Sequence, residues 1–88
     1  MGVKNIKSTK RKVLSVIDGD TFKVRKNVMG SQYIRIAGLD APEKREPGYQ
    51  AAKKQLQRLQ GETVTLRPVG TSYGRTVADV IYKRRKIR

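Results

Sequence analysis

The sequence predicts a mostly β protein with one helix, in the order β-β-β-α-β-β. Three observations carry that prediction: short stretches where apolar and polar residues alternate, one stretch where apolar residues recur at helical spacing, and glycine or proline between them. Residues 13–17 read as a first strand, closed by Asp18-Gly19-Asp20. Residues 21–28 follow as a second, with Phe22 and Val24 on one face and Lys23 and Arg25 on the other. Met29-Gly30-Ser31 is a turn. Residues 32–39 form a third strand, Ile34 and Ile36 inward and Arg35 outward by the period of two. Residues 40–48 hold Pro42, Pro47 and Gly48 and read as a loop.

The period then changes. Tyr49, Ala52, Leu56 and Leu59 fall on one stripe of a helix over 49–60, with Lys53, Lys54, Gln57 and Arg58 on the other side and Gly61 placed to end it. Residues 62–67 alternate again around Val64 and Leu66, 68–74 read as a second loop, and 75–82 as a last strand. Five short strands with a helix between the third and fourth describe the OB-fold, a small Greek-key barrel. An SH3-like barrel is the rival, but it does not normally carry a 12-residue helix there.

Eighty-eight residues allow one domain and one small core. No stretch approaches the roughly 20 apolar residues that span a bilayer. The first residues carry lysines without a following apolar run, so they do not read as a signal peptide. The expectation is a cytoplasmic monomer with no membrane partner. The absence of Cys and His excludes disulfides, thiolate zinc sites, cysteine nucleophiles and histidine bases. Any metal site must be built from oxygen, which favours Ca²⁺, Mg²⁺ or Mn²⁺.

The net charge is +14, from 21 Lys and Arg against 7 Asp and Glu. Residues 1–12 hold Lys4, Lys7, Lys10, Arg11 and Lys12 without an acid; residues 83–88 hold Lys83, Arg84, Arg85, Lys86 and Arg88 without one. The division expected is a basic N-terminal arm (1–12), a barrel domain (13–82) and a basic C-terminal tail (83–88), the ends gripping phosphates nonspecifically.

Against that background, four of the seven acids lie in two short motifs, Asp18-Gly19-Asp20-Thr21 and Asp40-Ala41-Pro42-Glu43. Each alone reads as turn chemistry, since Asp-Gly favours hairpins and Asp-Ala-Pro-Glu suits a helix-entry loop. Together they fall at the ends of neighbouring strands, and carboxylates sharing a pocket stay ionised only beside a cation or arginines. Arg35 and Arg75 could supply two planar guanidinium groups to hold a phosphate.

The segments Val16-Ile17-Asp18-Gly19-Asp20-Thr21, Ile34-Arg35-Ile36-Ala37-Gly38-Leu39-Asp40-Ala41-Pro42-Glu43 and Tyr73-Gly74-Arg75-Thr76-Val77-Ala78 resemble the staphylococcal-nuclease-like (thermonuclease) domain family, in order over residues 13–82. The resemblance implies an OB barrel and calcium-dependent hydrolysis of DNA and RNA with little sequence preference. It implies Asp20 and Asp40 as metal ligands, Asp18 supporting the metal from behind, and Glu43 positioning or deprotonating the attacking water. It implies Arg35 and Arg75 on the scissile phosphate, and Tyr73 and Thr21 binding substrate. Position 41 is Ala where the founding enzyme carries Thr, and the loop from Glu43 to the helix is short. Two other readings stay open: a noncatalytic OB-fold module that binds nucleic acid, and a basic architectural or ribosome-associated protein, which would explain the charge but not the acids.

Overall fold

The computed structural model describes residues 8–87. Its elements are β1 (Thr9–Asp18), β2 (Thr21–Val28), β3 (Ser31–Ile36), α1 (Tyr49–Leu56) continued by a 3₁₀ turn at Gln57–Leu59, β4 (Thr63–Ser72), β5 (Arg75–Tyr82) and a two-residue β6 (Arg85–Lys86). The strands run β3-β2-β1-β4-β5-β6, and β3 pairs a second time, with β5. That pairing is parallel and closes the first five strands into a barrel, while the remaining neighbours are antiparallel. A closed five-stranded barrel with a helix between its third and fourth strands is the OB-fold. No helix among the described residues is long and apolar enough to cross a membrane.

The period of two decides which side chains fill the barrel. Phe22, Val24, Ile34, Ile36, Val64 and Leu66 all point inward and are buried, joined by Val13, Ala78 and Val80. Leu56 and Leu59, one helical turn apart, add the helical stripe to the same core. Burying each large aliphatic or aromatic side chain stabilises the fold by about 1.5–3 kcal/mol.

Four boundaries differ from the sequence-based expectation. First, β1 begins at Thr9, because Thr9, Lys10, Arg11 and Lys12 pair with Leu66, Thr65, Val64 and Thr63 of β4. Those bases belong to the barrel sheet; Lys4 and Lys7 lie outside the described residues, as does Arg88. Second, β3 ends at Ile36, where the chain turns through Gly38 at φ 79°.

Third, residues 68–72 are strand. Pro68 is opposite Ala78, and Gly70 is opposite Val77, so the register slips at Val69. A bulge is one of the places where a sheet tolerates proline's missing N–H. Fourth, the chain after Tyr82 folds back. Lys83 and Arg84 make a two-residue turn, Tyr82 pairs with Arg85, Ile81 with Lys86, and Ile87 packs against the core.

Candidate functional site

Asp18 ends β1 and Thr21 begins β2, so Gly19 and Asp20 are the two central residues of a tight hairpin, with Asp18 in its closing pair. Gly19 at its tip lies against the helix and the loop that precedes it. A Cβ there would stand 2.8 Å from the Cβ of Ala52 and 2.9 Å from that of Ala41. Only a residue without a side chain lets these three segments meet this closely. The hairpin is also tied to the end of β3, where Ile36 N–H donates to the Asp20 carbonyl at 2.8 Å.

The segment after β3 brings Asp40 and Glu43 to the same end of the barrel. The Glu46 carboxylate accepts from the Glu43 N–H at 2.6 Å, and the Glu46 N–H donates to the Glu43 carbonyl at 2.8 Å. This reciprocal pair braces the short stretch before α1 and leaves the Glu43 side chain exposed. Asp18, Asp20, Arg35, Asp40, Glu43 and Arg75 line one open cleft of about 370 Å³, with Ala41, Pro42 and Lys44. All six side chains singled out in the sequence for metal, water or phosphate are therefore brought together. Lys44 is an additional base, whose only signal in the sequence is its place beside Glu43.

Contacts within the cleft organise it. Arg35 Nη2 lies 3.4 Å from Asp20 Oδ2, and Arg35 Nη1 donates to the Ile36 carbonyl at 2.8 Å. The Thr21 hydroxyl donates to Asp20 Oδ1 at 2.9 Å and accepts from Arg75 Nη1 at 3.2 Å. Arg75 Nε also donates to the Ser72 carbonyl at 3.3 Å. Both guanidinium groups are thus linked to Asp20, one directly and one through Thr21.

Asp18 is held differently. Its Oδ1 accepts from the Tyr49 hydroxyl at 2.8 Å, a bond to the first residue of α1. That hydrogen bond raises the tyrosine pKa above its ordinary 10.0, with desolvation and the carboxylate's charge adding to it.

The two residues expected to bind substrate are placed otherwise than the ligating and phosphate-facing set. Thr21 is 2% exposed and does not line the cleft. Its hydroxyl is a buried connector between Asp20 and Arg75, a role that depends on a residue far along the chain. Tyr73 is 96% exposed in the β4–β5 turn, two residues from Arg75 and outside the cleft lining.

The donor set is carboxylate oxygen alone, with neither imidazole nor thiolate, and so fits a hard divalent cation. Among the described residues, no three acids stand together as a ready metal cage. Asp20 and Asp40 are the carboxylates that could hold Ca²⁺, which takes six to eight oxygens and would draw the others from backbone carbonyls and water. The chain matches no protein-family model and no curated protein.

Proposed function

We propose that this protein is a metal-dependent nuclease of the staphylococcal-nuclease-like kind, hydrolysing phosphodiester bonds of DNA or RNA with little sequence preference and using Ca²⁺. The observation that carries this reading is the convergence of Asp18, Asp20, Arg35, Asp40, Glu43 and Arg75 on one cleft from three separate segments. Carboxylates alone would repel a phosphate, and arginines alone would only hold one. The combination suits a phosphodiester that must be both bound and attacked.

Asp20 and Asp40 would hold the cation, which would polarise the phosphate and screen the carboxylates from it. Glu43 accepts a proton from a water molecule as that water's oxygen bonds to phosphorus. The bond from phosphorus to the leaving nucleoside oxygen breaks, and that oxygen takes a proton from solvent. Arg35 and Arg75 offset the charge gathering on the phosphoryl oxygens. Asp18 and Thr21 act as positioning residues, the first through Tyr49 and the second through Asp20 and Arg75.

A noncatalytic nucleic-acid-binding module is favoured by one observation: Asp20 and Arg35 face each other at 3.4 Å, a ligand and a phosphate clamp occupied with one another. Incubation with single-stranded DNA separates the readings, with Ca²⁺ or with chelator, beside Glu43→Gln. The nuclease reading expects cleavage that needs metal and is lost in the variant. Tight binding without cleavage under any divalent cation would sink it and leave the binding module.

A further inference from the structure

Among the described residues, three hairpin turns place both central residues at positive φ: Met29-Gly30, Tyr73-Gly74 and Lys83-Arg84. Such type I′ turns favour glycine, asparagine or aspartate, because a side chain at positive φ crowds its own backbone. The first two have glycine at the second position. The third has Lys83 at φ 52° and Arg84 at φ 67°, followed by Arg85 and Lys86. This turn keeps two unfavourable bases where a Gly would relieve the backbone.

The register shows what surrounds it. Lys10 pairs with Thr65, Thr65 with Ile81, and Ile81 with Lys86, so these four side chains share one row on the outer face of the sheet. Lys10 and Lys86 stand three strand spacings apart, roughly 14 Å. Lys12 is on the same face, one pleat along β1. Two acids lie nearby: Asp79 stands 3.7 Å from Lys86 and offsets part of its charge, and Glu62 accepts from the Tyr82 hydroxyl at 3.0 Å, so a phosphate at Lys86 would compete with Asp79. Lys83 Nζ sits over the Tyr82 ring, 5.3 Å from its centroid.

We propose that this face, Lys10, Lys12 and Lys86 with the Lys83-Arg84 turn at its end, is a second phosphate-binding surface that takes the backbone of duplex nucleic acid. It deepens the nuclease reading by naming a partner and a footprint, and it rests on that reading only for its partner's class. Its charge is fixed to a pleated sheet and a tight turn, an arrangement suited to the regular phosphates of a duplex. The opposite end of β1 carries Asp18, and β5 runs from Arg75 at the cleft to Tyr82 at the turn. The turn therefore stands roughly 23 Å from the cleft. At about 3.4 Å per base pair along one strand, seven base pairs bridge the two.

The test measures binding of DNA duplexes by fluorescence anisotropy, with chelator present so that cleavage does not intervene. The variant Lys83→Asn with Arg84→Gly installs a preferred type I′ pair and removes two charges. It should melt at a higher temperature than the wild type yet bind long duplex more weakly. Its plot of log affinity against log salt should be shallower by about 0.9 for each phosphate that is no longer neutralised.

Wild-type affinity should step up once duplexes exceed about seven base pairs, and the variant should lack the step. Lys10→Gln with Lys12→Gln, which leaves the turn intact, should flatten the salt plot in the same sense. Long-duplex affinity and salt slope equal to wild type in both variants would overturn the proposal. Preference for anionic phospholipid vesicles over duplex would overturn the nucleic-acid assignment. Because binding is read without turnover, a chain that cuts but binds duplex normally through both variants defeats this inference alone. A chain that never cuts but loses duplex binding in both defeats only the nuclease reading.

Discussion

The Tyr49 hydroxyl donates to Asp18 at 2.8 Å, joining the first residue of α1 to the last residue of β1. One acid of the cleft is thereby also a strut of the fold. The bond favours the protonated tyrosine, whose pKa is raised above 10.0. Its contribution to stability is fully present below pH 10 and is lost as pH climbs through the raised folded-state value. Tyr49→Phe should show no such alkaline step. Denaturant midpoints for both proteins, followed upward from neutral pH, check this; identical curves would show that the bond does not couple to folding.

Gly19 admits no side chain without displacement. Gly19→Ala should destabilise the protein by about 1–3 kcal/mol through overpacking, since its new Cβ meets two others below 3.0 Å. Because Ala41 is one of them, the loop carrying Asp40 should move and cleavage should fall as well. Urea unfolding beside a cleavage assay measures both, and unchanged stability would mean that α1 shifts at little cost.

Thr21 separates a structural hydroxyl from a substrate contact. Thr21→Val keeps the volume and removes the link between Asp20 and Arg75. Cleavage should drop at least tenfold in Thr21→Val and largely return in Thr21→Ser, with KM moving less than kcat. A loss confined to KM would instead assign Thr21 to substrate binding.

Arg35 faces both a carboxylate and the open cleft. Arg35→Ala should lower turnover on the order of 10²–10³-fold, as loss of a transition-state donor does, with a smaller loss of substrate affinity. Arg35→Lys should recover little, since an ammonium lacks the planar fork. Equal losses in binding and turnover would assign Arg35 to strand holding.

The inward side chains were legible because the period of two is a local property: Phe22 with Val24, Ile34 with Ile36, and Val64 with Leu66 declare their strands without reference to anything else. The convergence of the acids and arginines on one end of the barrel followed from their places at strand ends. What escaped was decided by distant partners. Pro68 and Gly70 look like breakers until β5 supplies a bulged register that accommodates them. Lys83 and Arg84 look like a solvated tail because no residue-type signal announces positive φ there. The Thr21 hydroxyl takes its bond from Arg75, and Asp18 takes its bond from Tyr49, neither partner near in sequence.

The barrel closes where β3 meets β5, with Arg35 opposite Val77 and Arg75 at the head of the same strand. Parallel pairing across a long stretch of chain carries a large loop-closure entropy, so this seam belongs among the slow, late contacts of folding. The two guanidinium groups approach one another only when that seam forms. With the first hairpins and the helix in place but this seam open, the acids would have Arg35 beside Asp20 and would lack Arg75. The cleft thus exists only in the completed barrel, which confines whatever it does to the native population.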